Sequence, residues 1–181
     1  MTNQSKEEHE KLVRQKIEEE NQVEAERLVG AKQIVLEVLV QKGYRIEEIE
    51  LNPEYRIQLS DCEATVGIDF VINLPEGNFM VIKCSSSAIE SWERYAAAFA
   101  RIAKDYQIPF AMVTDGESAR LIDVLKGTVV GRSLDELHAR PQAAEKMKNF
   151  QKIPCPENRR EREKRIVYAF EGIKCPPVKG D

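Results

Sequence analysis

The sequence predicts an α/β fold in which a mixed central sheet is flanked by helices on both faces. Three observations carry that reading. An apolar stripe at helical spacing over 25–42 stops at Gly43. Two apolar segments, 66–72 and 79–84, flank the turn Pro75-Glu76-Gly77-Asn78. A helix with an aromatic stripe then precedes a further apolar segment at 110–114. Both segments around the turn are too apolar for a sheet with one wet face, so helices should cover each side.

The elements follow in order. Lys6 to Glu26 is charge-rich, free of proline and glycine, and carries Leu12, Val13, Ile17 and Val23; it reads as a solvated helical arm, residues 1–24. Leu28, Ala31, Val35, Val38 and Leu39 form the stripe of the next helix, and Gly43 is its expected C-terminal stop. Tyr44 leads into a linker. Tyr55 to Leu59 alternates like a half-buried strand, and Val66 to Ile72 reads as a single strand with Asp69 inside it. Phe79 to Cys84 returns as its hairpin partner, with Lys83 inside. Ser87-x-x-Glu90 is a capping-box signal for a helix whose Trp92, Tyr95, Phe99, Ile102 and Tyr106 read as core. Strands are expected at Phe110–Thr114, Ala119–Val124 and Thr128–Val130. A short helix from Ser133 should end at Pro141, a further helix should cover 142–150, and a terminal helix should run from Asn158 to Phe170. The α/β core is thus placed at 25–132 and a helical extension at 133–181.

Composition narrows the function classes. The 181 residues carry 27 basic and 31 acidic side chains, a formal charge of −4, which argues against a generally basic nucleic-acid coat while allowing a local basic patch. No stretch approaches the roughly 20 apolar residues of a membrane span, and the polar first ten residues lack a secretory signal, so the expected location is cytoplasmic. Cys62, Cys84, Cys155 and Cys175 are then expected as thiols. None forms a close C-x-x-C pair, and with only His9 and His138 available a zinc site is not expected. The repeated Cys-Pro pairs at 155–156 and 175–176 leave a shared metal or redox role as an alternative. No nucleophile–histidine spacing and no phosphate-binding glycine loop is present.

The charges inside the strands are the informative feature. A carboxylate or an ammonium buried alone costs several kcal/mol, so each needs a partner, water or a cleft. A hairpin centred on Pro75–Asn78 brings Asp69 and Lys83 within side-chain reach. One reading is an ion pair that fixes strand register. The other is a Mg²⁺-dependent phosphodiesterase site, where carboxylates hold the ion and a lysine steadies the attacking water or the developing charge. A hard cation normally needs two carboxylates, and this segment supplies one.

The helix ending Leu39-x-x-x-Gly43-Tyr44, the strands Gly67-Ile68-Asp69-Phe70-Val71-Ile72 and Phe79-Met80-Val81-Ile82-Lys83-Cys84, the helix 93–103 and Pro109-Phe110-Ala111-Met112-Val113-Thr114-Asp115-Gly116 occur in a telling order. Over about 25–122 the chain resembles the N-terminal nuclease domain of type I restriction enzyme R subunits, within the PD-(D/E)xK superfamily. The resemblance implies a restriction-endonuclease-like core, a DNA substrate, Mg²⁺, and a site of Asp followed by Glu-x-Lys. Asp69 matches the aspartate, with Ile68 in place of the preceding proline. The second motif departs from the pattern. With Lys83 as the motif lysine, Val81 replaces the glutamate; with the register moved by two, Lys83 replaces the glutamate and Ser85 the lysine. Both registers stay open in the sequence.

The candidate catalytic residues are therefore Asp69, Lys83 and Ser85. The candidate metal ligands are Asp69 with Glu26 or Glu37 of the first helix, or with Glu90. Arg159, Arg160, Arg162 and Lys164 in the terminal basic run are the candidate nucleic-acid contacts, and Ser85 to Ser87 could cradle a phosphate before a helix. The expected function is a nuclease-like domain with a degenerate metal site that binds DNA or supports a restriction or repair complex. The alternatives are an active endonuclease with a relocated carboxylate, and a homodimeric interaction module built on the arm or the terminal helix.

Overall fold

Leu28, Ala31, Val35 and Leu39 share one side of a helix, and that side packs on the sheet. The structure is a computed structural model that describes residues 3–60 and 62–172. The expected arm and the first core helix form one continuous helix, α1 (Asn3–Gln41). It ends as its sequence dictates: Gly43 adopts φ +91°, the Gly43 N–H donates to Val40 O, and the Tyr44 N–H donates to Leu39 O. These are the two bonds of a glycine C-terminal motif.

The expected linker contains β1 (Ile49–Leu51), which pairs antiparallel with residues 70–72. Three residues are too few for alternation to reveal a strand. β2 (Glu54–Gln58) and β3 (Glu63–Gly67) form a separate two-stranded sheet. The single strand expected over Val66–Ile72 is therefore broken. Val66 pairs with Tyr55 in the small sheet, whereas Phe70 opens β4 (Phe70–Leu74) of the main sheet. Ile68 and Asp69 make the crossing, pinned by the Ile68 N–H on Pro53 O and the Asn52 N–H on Asp69 O. An unbroken apolar run looks the same whether one sheet or two use it.

β4 and β5 (Gly77–Cys84) form the hairpin expected around Pro75, with Val71 opposite Val81 and Phe70 opposite Ile82. Gly77 is required twice over. Its φ is +144°, and a Cβ there would lie 2.7 Å from the Tyr106 hydroxyl. α2 (Glu90–Ile102) carries the chain across to β6 (Phe110–Thr114), which runs parallel to β5. A parallel neighbour needs such a crossover. β7 (Ala119–Asp123) and β8 (Thr128–Gly131) continue antiparallel, so the sheet reads β1-β4-β5-β6-β7-β8.

Alternate residues of the hairpin then bury on opposite faces. Phe70, Ile72, Met80 and Ile82 meet Ala31, Val35 and Leu39 of α1, together with Ala143 and Met147 of α3 (Arg140–Lys148). Val71, Val81, Ala111 and Val113 meet Tyr95, Ala96 and Phe99 of α2, which is backed by Val167 of α4 (Glu157–Gly172). Burying one side chain such as Phe99 contributes roughly 1.5–3 kcal/mol. The result is the mixed sheet with helices on both faces expected of a restriction-endonuclease-like core.

Two local expectations are corrected. Ser87 does not cap α2: Ile89 occupies the N-cap in helical conformation without a side-chain bond, and the Ser87 N–H is taken by Ser85 Oγ. Pro141 sits in the first turn of α3 instead of ending a helix, a position where its missing N–H loses no bond. The final residues, including Cys175 of the Cys-Pro pair, lie outside the described residues. Cys62, Cys84 and Cys155 are free thiols.

Candidate functional site at Asp69

Asp69 stands at the bend between the two sheets, directly before β4, and the hairpin register extended by one pair sets it opposite Lys83. The expected pair forms: Lys83 Nζ lies 3.3 Å from Asp69 Oδ2, and both side chains are about nine-tenths buried. The same oxygen accepts the Cys84 N–H at 2.7 Å. Oδ1 is held by a residue the sequence reading missed, Lys32 of α1, at 2.7 Å. One carboxylate thus sits between two ammonium groups and a backbone donor.

Each neighbour of this cluster has a local cause. Lys32 lies four residues from both Leu28 and Leu36, at the edge of the apolar stripe, so packing the stripe swings its amine over the end of the sheet. Its Nζ also donates to Asn52 Oδ1 at 2.8 Å, and Asn52 takes φ +48°, a conformation asparagine tolerates better than most residues. A lysine flanking a core stripe was the one sequence signal for this partner. On the other side, Lys83 Nζ lies 5.1 Å from the Trp92 ring centre and 6.0 Å from that of Tyr95. Those π faces add attraction for a desolvated cation. The Cys84 thiol is pushed up to about 12, first by burial and then by the Asp69 charge, so it stays protonated and unreactive near neutrality.

The remaining sequence candidates fall elsewhere. Ser85 is buried but turned from Asp69; its hydroxyl donates to Ser87 O and accepts the Ser87 N–H, both at 3.2 Å. Glu26 and Glu37 are exposed on α1, and Glu37 accepts from Gln33. Both lie more than 100° around the helix from Lys32 by the ~100° step per residue. Glu90 pairs with Arg120 at 2.8 Å. Among the described residues no group of three or more His, Cys, Asp or Glu side chains is placed to hold a metal. Val81 is fully buried between β4 and α2.

Two clefts open beside the cluster and share Ser85 and Ser86. The first, of about 360 Å³, is lined by Lys83, Ser87, Trp92 and Phe170, with Glu24 and Leu28 of α1 forming its far wall. Asp115 borders the second cleft with Arg27 and Glu117; its carboxylate accepts the Glu117 and Ser118 N–H groups, closing its own turn. Glu24, not Glu26, is the α1 carboxylate that reaches the first cleft.

The terminal basic run is largely spent inside the fold. Arg160 donates to the Ile102 and Lys104 carbonyls at the C-terminal end of α2, satisfying groups a helix end leaves open. Arg159 pairs with Glu163 at 3.2 Å and Lys164 with Glu161. Arg162 and Arg165 are exposed. Glu163, fully buried, also pairs with Arg94 at 3.2 Å and with Arg101 at 3.3 Å, so α4 is bolted to α2 through one carboxylate. At the other end of α4 the Tyr95 hydroxyl donates to Glu171 at 2.6 Å, and Glu171 accepts from the Gly67 N–H, two residues before Asp69.

Residues 30–137 match the family described as type I restriction enzyme R protein N terminus (HSDR_N). Among solved structures, a fragment of an HsdR subunit of a type I restriction enzyme from Vibrio vulnificus YJ016 is similar at 16% identity with a TM-score of 0.44, over 65% of this chain and 25% of that one. The chain therefore spans about a quarter of the length of that relative. No curated protein matches the chain.

Proposed function

The chain belongs to the family of type I restriction enzyme R protein N termini, and from that premise we propose that it is a nuclease-like domain whose site has lost metal-dependent cleavage and whose cleft contacts nucleic acid within a restriction or repair assembly. The observation that carries the first half is the occupancy of Asp69: Lys32, Lys83 and the Cys84 N–H engage both carboxylate oxygens. The residues present do not fit Mg²⁺. A divalent ion would displace two ammonium groups and then meet their repulsion without a second carboxylate to offset it. Of the two alignments, the one in which Lys83 stands at the glutamate position agrees better with this geometry, because Val81 is sealed in the core and Lys83 faces the aspartate. Asp69 and Lys83 then set the shape and charge of the cleft, and Ser85 fixes the turn beside it.

Nucleic-acid contact is supported by Lys83, the three serines and Trp92 along one cleft, with Lys32 on the other oxygen of Asp69 and Arg162 and Arg165 as the exposed members of the basic run. The full-length chain should not cleave plasmid, linear or single-stranded DNA with Mg²⁺ or Mn²⁺, and calorimetry should detect no stoichiometric Mn²⁺ binding. It should shift labelled DNA at low salt and release it as salt rises. Absence of any shift at micromolar protein would remove the nucleic-acid half while leaving the metal half standing.

One observation favours a second reading, an active endonuclease with a relocated carboxylate: Glu24 lines the same cleft as Lys83. Metal-dependent cleavage that vanishes in both Asp69→Asn and Glu24→Gln would establish it in place of the first.

A further inference from the structure

Neither cleft beside Asp69 is built to track a nucleic-acid backbone. Among their lining residues Lys83 and Arg27 stand against Glu24, Asp115 and Glu117, and the Lys32–Asp69 pair adds no net charge. A groove that follows a strand by its phosphates needs a surplus of cations. The first cleft, at about 360 Å³, has the capacity of a small-molecule site. Its walls are apolar: Leu28 on α1, and across from it Trp92 with Phe170, their ring centres 5.4 Å apart. Lys83, nine-tenths buried, reaches the cleft from the sheet. The Ser86 and Ser87 hydroxyls beside it have no partner among the described residues. Glu24 adds a carboxylate, a group that only accepts hydrogen bonds. An apolar slot, a cation with hydroxyl donors and one acceptor match the base, phosphate and exocyclic amine of a single nucleotide.

Resting on the nucleic-acid reading above, we propose that the first cleft takes one unpaired nucleotide at the end of a DNA strand. Its base lies between Leu28 and the Trp92–Phe170 pair, its phosphate meets Lys83, Ser86 and Ser87, and Glu24 accepts from the amine of the base. Adenine, guanine and cytosine carry that amine, whereas thymine presents carbonyls, which a carboxylate repels. The second cleft, of about 460 Å³, shares Ser85 and Ser86 with the first and holds Arg27, so the adjoining phosphate meets its own cation. A base paired in a duplex enters such a slot only at the cost of unpairing and unstacking. The site therefore selects an overhanging end over a blunt one.

Quenching of Trp92, the single tryptophan of the chain, reads the slot directly. dAMP should quench it saturably and bind about tenfold more tightly than dTMP, and Glu24→Ala should abolish that preference. Ser86→Ala with Ser87→Ala should weaken dAMP about fivefold and leave deoxyadenosine, which lacks the phosphate, unchanged. A DNA hairpin with a short adenine overhang should bind about tenfold tighter than dAMP, and than the same hairpin with a blunt end. Its log affinity should fall with log salt at a slope of about −0.7 to −1.4, the value for one or two phosphates. Equal binding of the two hairpins, with no quenching by dAMP, overturns the inference while the nucleic-acid reading stands. Equal quenching by dAMP and dTMP overturns the role of Glu24. Failure of both hairpins to bind removes the nucleic-acid reading itself, and quenching by dAMP alone then assigns the cleft to free nucleotides in place of a strand end.

Discussion

Two carboxylates in this protein are each surrounded by more positive charge than they neutralise, and they differ in what lies next to them. Glu163 is sealed between α2 and α4 with Arg94, Arg101 and Arg159. Arg101 spends a further N–H on the Val124 carbonyl at 3.0 Å, and burial works against its charge while Glu163 works for it. Asp69 holds Lys32 and Lys83 at the end of the sheet, where the Lys32 side chain is 30% exposed and Lys83 borders a cleft. Guanidinium groups suit the closed cluster because their planar forks share one carboxylate and reach backbone carbonyls together. Ammonium groups suit the open one, being compact charges that keep some water. The closed cluster joins two helices; the open one shapes a surface.

Several substitutions should separate the two. The largest effect is expected for Glu163→Gln, which strands buried guanidinium groups and should cost about 3–5 kcal/mol in urea unfolding. It should also admit trypsin to the Arg159–Arg165 stretch. Asp69→Asn should cost less, about 1–3 kcal/mol, because the amide can still accept the Cys84 N–H and Lys32 can turn to water. A larger penalty at Asp69 than at Glu163 would break the contrast.

A third carboxylate sharpens it. Glu48, buried at the end of β1's leading turn, accepts from Arg140 and Arg45. The bond from Arg140 is the main cause holding its carboxyl down to about 2, with burial opposing and Arg45 assisting. A folded value below the unfolded one means the stabilisation is full above about pH 4.5 and is lost as pH falls toward 2. Glu48→Gln should therefore lower stability at neutral pH by ~2 kcal/mol and flatten the acid limb between those pH values, as read from urea midpoints. The smallest effect is expected for Ser87→Ala. Without a capping role it should stay within about 0.5 kcal/mol in the same assay, whereas a working N-cap would lose about 1 kcal/mol.

Legibility in the sequence followed the range of the interaction. The Gly43 stop, the hairpin about Pro75, the aromatic stripe of α2 as far as Ile102 and the succession of strands β5 to β8 along the chain all rest on local periodicity and turn chemistry, and all were readable; Tyr106, expected on the same helix, lies beyond its end. The Asp69–Lys83 pair was readable as well, because a tight hairpin converts sequence symmetry into spatial contact. The break of the 66–72 segment was not, since its signal is the pairing of Val66 with Tyr55 of a separate strand. Ser87 was misread because a capping motif says nothing of where the preceding strand releases the chain. The basic run of α4 was legible as charge but not as contact, since Arg159 and Arg160 turn inward to partners on α2 and Glu163.

The sequence by itself determined that helices cover both faces of a mixed sheet, because alternation and helical stripes are set by backbone period and by the exclusion of apolar groups from water. It also determined that an aspartate and a lysine meet across one turn. Only the tertiary structure decided that Lys32 completes that meeting and that Glu24, not Glu26 or Glu37, borders the cleft. The azimuth of a helix on a sheet is fixed by the packing of its whole stripe, and a few tens of degrees decide whether a lysine or a glutamate leans over the same aspartate.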